Sequence, residues 1–312
     1  MPELAFACPD CRGALSREGM RLLCHNGHEF AVRNGMYHLL PKSLTPLTAS
    51  EAAYHAEGKT TWAEQNQIET LRNVHFHRSF LREIANRCTA TSCLLEIGGG
   101  IGFDLNLFLQ LKPDFETYVF SEVSQELVAY AAGEVKSDRV IYSALDAQRI
   151  PFAEGQFDCV FVVAALHHLP DASAGLQEMA RVTKRGGFIC CGIEPNRWWL
   201  SALKQSRWLL RKVLPEKDHS LADEQALGLR PRDYVDLGRA NQLRLLWFEP
   251  VWFLCGFIHY GLELAYRLFR LQRRIRLPVI VERFVVQIDN ILLRLPGIRN
   301  LSWHNSVIYQ KL

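Results

Sequence analysis

Residues 94–104 read LLEIGGGIGFD, an apolar run, then an acid, then four glycines in five positions. The apolar run has the character of a buried strand. The continuation FDLNLFLQL places its apolar residues at helical spacing. Glycine tolerates left-handed backbone angles and lets the main chain come close to a ligand. This strand–loop–helix unit therefore constrains the fold more than any other stretch, and it presents backbone to something bound. The dinucleotide fingerprint needs glycines at relative positions 1, 3 and 6. Here Gly98, Gly100 and Gly102 fall at 1, 3 and 5, with Phe103 at 6, so the ligand has to be argued from the strands that follow.

Those strands carry carboxylates at their ends. TYVFSEV ends at Glu122, positioned to accept bonds from a ribose diol. VIYSALDAQRIPF ends at Asp146, followed by Ala147, where an acid can accept from an adenine amine. GQFDCVFVVAALHHLPD is a fourth strand that finishes in His167 and His168. RVTKRGGFICCGIEP gives a helix end, a glycine turn and a fifth strand. Strands alternating with helices predict a parallel sheet with its ligand at the carboxyl ends of the strands.

The segments EIGGGIG, SEVS, LDAQRIPF, FDCVFVVAALHHL and RGGFICCGIEP, in that order over residues 93–196, resemble the class I S-adenosylmethionine-dependent methyltransferases, in particular the small-molecule branch that includes quinone methyltransferases. The resemblance implies a Rossmann-like seven-stranded α/β sheet and S-adenosylmethionine as cofactor. It implies that Glu96, Gly98, Gly100 and Gly102 frame the methionine part, that Glu122 holds the ribose, and that Asp146 with Ala147 borders the adenine. One departure is Glu122-Val123-Ser124, where the family usually has Asp-x-Ser. The carboxylate is kept but its reach is longer. By the same resemblance RPRDYVDLGRANQLRLLWFEPVWF forms the last helix and sixth strand, and SWHNSVIYQKL the seventh. Methyl transfer is an in-line displacement, and a base is needed only when the acceptor atom carries a proton. His167 and His168 are the candidates, with pocket shaping as the alternative role and neither favoured over the other.

The amino-terminal CPDCRGALSREGMRLLCHNGHEF offers Cys8 and Cys11 as C-x-x-C, then Cys24 and His28 as C-x-x-x-H. Thiolates and an imidazole at these spacings suit a closed, structural tetrahedral Zn²⁺ site, with His25 a rival for the fourth position. The run from Cys8 through HEFAVRNGMYHLLP resembles the zinc-ribbon head of bacterial 23S ribosomal RNA guanine methyltransferases. Three units are expected: a ribbon over 1–40, a linker and helical cap over 41–90, and the methyltransferase domain over 91–312. In the cap, Tyr54, His55, Trp62, His75 and His77 are candidates to face a substrate, although each alone reads as packing.

The first 196 residues hold 17 Lys/Arg against 23 Asp/Glu, and residues 197–312 hold 19 against 10. A basic second part points to an acidic partner, either nucleic acid or a phospholipid surface. Roughly forty-five residues separate the sixth and seventh strands where a hairpin needs about two to five. This insertion, about 255–301, is helical in period, apolar on one face, and carries Arg267, Arg270, Arg273, Arg274 and Arg276. It predicts peripheral association with anionic membranes. The plainer readings are a dimer interface or a lid on its own domain. A leader with an apolar core is not evident, and nine cysteines lie mostly in apolar strands, so the expected setting is the reducing cytoplasm, at the inner face of the membrane. The acceptor is expected to be a small molecule, a sugar or a lipid-linked compound. Ribosomal RNA is the first alternative. A non-catalytic regulatory protein that binds S-adenosylmethionine is the second.

Overall fold

The computed structural model describes residues 4–56, 69–210 and 220–312. Its centre is a sheet whose strands are buried on both faces. β5 (Cys93–Ile97), β6 (Thr117–Glu122), β7 (Val140–Ala144) and β8 (Phe157–Val163) run parallel, with β9 (Thr183–Pro195) parallel to β8. Side chains alternate across this sheet. Leu94, Phe120 and Phe161 enter one core with Phe80 and Phe108, whereas Leu95, Val119 and Val160 enter the opposite one with Leu176 and Met179. β10 (Leu243–Val251) and β11 (His304–Lys311) complete that side, β11 lying antiparallel between β9 and β10.

The sheet has eleven strands, not the expected seven, in the order β1-β2-β3-β4-β7-β6-β5-β8-β9-β11-β10. The additional four come from the amino-terminal segment: β1 (Leu15–Glu18), β2 (Arg21–Cys24), β3 (Glu29–Arg33) and β4 (Met36–His38). Had β7 remained an edge, its outer N–H and C=O groups would have been open to other chains. β4 covers them in parallel register, Met36 opposite Tyr142 and His38 opposite Ala144, and Leu39 N–H donates to Ala144 O at 2.8 Å. Arg12 adds an ion pair to Glu178 at 2.8 Å, and Phe6 bridges antiparallel to Phe152, with Ala7 N–H donating to Pro151 O and Ala153 N–H to Ala5 O, so the small segment is fastened to the large one at several places.

Helices α1 (Pro46–Ala56) and α2 (Leu71–Ala85) precede the glycine loop. α3 (Phe103–Gln110), α4 (Gln125–Glu134) and α5 (Ala172–Val182) are the crossovers. After β9 come α6 (Arg197–Leu210), α7 (Leu221–Gln225) and α8 (Pro231–Ala240). Between β10 and β11 lie α9 (Leu254–Leu268), α10 (Val279–Leu292) and the short α11 (Pro296–Arg299). The buried face of α10, Glu282, Val285, Val286 and Asp289, lies at helical spacing and meets α2 and α9. Arg72 of α2 forms a buried ion pair with Glu282, and His75 Nε2 lies 3.2 Å from Asn290 Nδ2. Asp289 accepts from the backbone N–H of Phe253 and Leu254, tying α10 to the start of α9. Among the described residues no helix is long and apolar enough to cross a membrane.

Candidate functional site

A cavity of about 820 Å³ opens at the carboxyl ends of β5, β6, β8 and β9. That is in the upper part of the ~300–1,000 Å³ range of small-molecule sites. Its floor is the glycine loop. Gly98 has φ +65°, and a Cβ built there would lie 2.8 Å from Ala165 Cβ; one at Gly99 would lie 2.2 Å from the Phe120 ring. The loop is thus a cradle that side chains would fill. Beside it Glu122 accepts from Gly100 N–H at 3.2 Å and Val123 N–H at 2.8 Å, and Asp146 accepts from Gln148 N–H at 2.9 Å. Burial raises the Asp146 pKa. Gly98, Gly100, Glu122, Asp146 and Ala147 all line the cavity. Two strand-end acids and a bare backbone loop around one space fit an adenine nucleoside that carries an amino-acid tail.

Glu96 and Gly102 stand differently. Glu96 is fully buried beneath the loop, takes a 2.6 Å hydrogen bond from Tyr118, and is pushed by burial up to about 8. It supports the loop from below and is not part of the cavity wall. Gly102 begins α3 at φ +82°, also outside the lining.

The adjacent histidines occupy opposite environments. They sit in a 3₁₀ turn, Leu166–His168, just beyond β8. His167 Nδ1 lies 2.8 Å from Glu194 Oε2 at the end of β9. Glu194 is 1% exposed and also accepts from the N–H groups of Ala165, Leu166 and His167. With its oxygens facing these donors, Glu194 accepts from His167 Nδ1–H, which leaves Nε2 with its lone pair. Burial, then the neighbouring His168, lowers the His167 pKa.

His168 instead joins a clasp. Its Nδ1 lies 3.3 Å from Glu51 of α1 and its Nε2 3.8 Å from Asp223 of α7. Glu51 also accepts from Ala222 N–H. Burial opposes charge on His168, but the Glu51 hydrogen bond, with Asp223 behind it, outweighs burial and raises the pKa. The sign follows directly: a raised folded-state pKa contributes stability in full below the unfolded value of about 6.5 and loses it as pH rises through the folded value. Wild type should therefore exceed His168→Gln in thermal midpoint most near pH 6. The gap should narrow toward pH 9, and a pH-independent gap would remove the clasp from the argument.

Of the cap residues, Tyr54, His55 and His77 line the cavity, His75 packs between α2 and α10, and Trp62 lies outside the described residues. His77 Nδ1 is 2.7 Å from Asp104. Sequence reasoning missed Glu194 as a partner, Glu51, Asp104 and His304. His304 faces the cavity, its Nδ1 has no partner among the described residues, and burial together with His167, His259 and His77 pushes it down to about 3. Three non-glycine residues on this wall take left-handed angles: Ala164 (φ 51°), Ile193 (φ 56°) and Trp252 (φ 58°). For β-branched Ile193 that conformation is strained, and such strain gathers at functional sites.

At the amino terminus Cys8, Cys11, Cys24 and His28 bring one ligand atom each to within 4.8 Å of one another. Zn–S bonds of ~2.3 Å require edges of roughly 3.5–3.8 Å in a tetrahedron, so the donor set fits. His28 Nδ1 lies 3.2 Å from Cys8 Sγ, whereas His25 Nδ1 lies 3.9 Å from Cys24 Sγ.

Residues 95–191 match the family model described as Methyltransferase domain. The chain is 38% identical over 96 residues to a demethylmenaquinone methyltransferase of Mycolicibacterium vanbaalenii, covering 30% of this chain and 39% of that protein. It is 38% identical over 71 residues to a demethylmenaquinone methyltransferase of Desulfitobacterium hafniense, covering 22% and 28%. The chain thus spans 39% and 28% of the lengths of these two curated relatives. Its fold matches phosphoethanolamine N-methyltransferase 2 of Haemonchus contortus in complex with S-adenosyl-L-methionine. That match has a TM-score of 0.55 at 15% identity, over 87% of this chain and 61% of that one. Residues 95–191 therefore form a methyltransferase domain, and the chain shares its fold with that S-adenosyl-L-methionine complex.

Proposed function

We propose that this chain methylates a hydroxyl of a small-molecule, sugar or lipid-linked acceptor, with S-adenosylmethionine as donor, at the inner surface of a membrane. The observation that carries the reading is the His167–Glu194 pair on the same cavity wall as the glycine loop. When bound, the cofactor supplies an activated sulfonium methyl. Gly98 and Gly100 hold its methionine part, Glu122 the ribose, and Asp146 with Ala147 the adenine. His167 Nε2 takes the proton of the acceptor hydroxyl as the oxygen attacks, and Glu194 balances the imidazolium. Neutral His304 offers the acceptor a hydrogen bond. Helices α1, α2 and α9 line the rest of the cavity and restrict water there. The relatives are named for a quinone, demethylmenaquinone, which supports an apolar acceptor. Cys8, Cys11, Cys24 and His28 hold one zinc ion, whose contribution is structural because four protein ligands leave no open position.

The Cys/His cluster favours ribosomal RNA as a second reading, and a regulatory role would need a spoiled cofactor cradle. Calorimetry should show saturable binding of S-adenosylmethionine and its demethylated product. Gly98→Val should weaken it about 100-fold, since a β-branched residue at positive φ adds strain to a 2.8 Å clash. Asp146→Ala should weaken it about tenfold through one charged hydrogen bond. Tight NAD binding without response to the methyl donor overturns the assignment. Labelled donor with fractionated cell extract should place label in organic-soluble material; label in RNA moves the assignment to the second reading.

A further inference from the structure

Helix α10 is apolar on two faces. One packs on α2 and α9; the other shows Ile280, Phe284 and Ile291 at 74%, 63% and 62% exposure. These three positions, spaced 4 and 7 apart, form one stripe. On α9 Phe257, Leu264 and Leu268 form a second exposed stripe, and Phe269, Leu271 and Ile275 continue it through the connection to α10. Exposed apolar stripes of this kind mark an interaction site.

Charge selects the occupant. Residues 254–301 contain eight arginines and three acids. All three acids are engaged within the fold: Glu263 with Arg274, Glu282 with Arg72, and Asp289 with the backbone of Phe253 and Leu254. The outward face is therefore apolar and cationic, with Arg270, Arg273 and Arg283 exposed among the aliphatic side chains. A second copy of the chain would set one arginine-rich face against another. RNA rewards arginines but not exposed isoleucine and phenylalanine. An anionic bilayer rewards both, because apolar side chains enter the acyl boundary while arginines stay among the headgroups.

We propose that the exposed face of α9, α10 and their connection docks on an anionic phospholipid surface and brings the cavity mouth to the headgroups. The inner side of the same element forms part of the cavity wall, through Tyr260, Glu263, Tyr266, Arg267 and Arg274. An amphiphilic acceptor reaches the cavity past these residues without crossing bulk water. This route rests on the methyl-transfer reading above; the docking itself does not.

The full chain is sedimented with phosphatidylcholine vesicles, with and without phosphatidylglycerol, at low and high salt. Binding is expected only with the anionic lipid and to weaken with salt. Each of Arg270→Gln, Arg273→Gln and Arg283→Gln should lower partitioning about fivefold, and the triple variant about 100-fold. Ile280→Ser with Phe284→Ser should lower it at least tenfold. None of these five residues lines the cavity, so calorimetric binding of S-adenosylmethionine stays unchanged in every variant. That control separates failure of docking from failure of the methyltransferase reading. Equal binding to neutral vesicles, or variants that partition like wild type, overturns the proposal. So does absence of vesicle binding, whether accompanied by dimers that Ile280→Ser/Phe284→Ser dissociates or by salt-sensitive binding to ribosomal RNA.

Discussion

His167→Ala should lower kcat by about 10²–10⁴-fold with the acceptor fraction that takes up label, the usual contribution of a positioned general base. Affinity for S-adenosylmethionine should remain within a few fold, because the proposed cofactor site is the loop with the strand-end acids. The sequence offered two adjacent histidines without a choice; their partners favour His167 for the proposed role. His168 is committed to Glu51 and Asp223, while His167 has one nitrogen fixed by Glu194. Burial lowers the His167 pKa, so the base is neutral at pH 7, and the rate should fall only as pH drops below the ordinary value of about 6.5. Glu194→Gln should cost nearly as much. Its two oxygens accept from four donors, and an amide nitrogen would turn one acceptor into a clashing donor. As a positioning residue, Glu194 should also shift the acid limb of the pH profile, which a merely structural role would not move. Full kcat in His167→Ala would leave both histidines as pocket walls.

What the sequence disclosed and what it hid differ by range. The glycine loop, the strand-end Glu122 and Asp146, and the Cys8–His28 spacing are local patterns, each readable within a few residues. Glu194 was visible only as the acid near the end of RGGFICCGIEP. Its tie to His167 spans 27 positions and depends on β8 lying beside β9 with Val163 opposite Gly192. The Glu51 clasp reaches across 117 positions from a helix whose apolar pattern is weak. The strand count failed for a similar reason: Met36–His38 is three residues long, too short for a period, and it joins the sheet by pairing with β3 on one side and β7 on the other. The family resemblance has Glu96 frame the methionine part; alternation along β5 turns its side chain beneath the loop toward Tyr118.

That borrowed edge makes metal loss consequential well beyond the ribbon. Cys8→Ser/Cys11→Ser should reduce zinc from one ion per chain to none and leave residues 4–40 open to protease. The buried cluster there amounts to Leu22, Phe30, Val32 and Leu39 beside Cys8 and Cys24, too little apolar surface to hold four short strands together unaided. A structural zinc site contributes on the order of 10–16 kcal/mol of apparent binding energy, so its loss outweighs everything else in the segment. β4 then leaves β7, and the exposed strand Val140–Ala144 becomes an edge that pairs with other chains. The variant should therefore aggregate on mild heating at temperatures the metal-loaded protein survives, while fresh protein still binds S-adenosylmethionine through the intact loop. His28→Ala should reproduce the loss and His25→Ala should not, since His28 lies 3.2 Å from Cys8 Sγ and His25 stands off from Cys24 at 3.9 Å. Full zinc content in the double serine variant would refute the site, and loss of zinc in His25→Ala alone would reassign its fourth ligand.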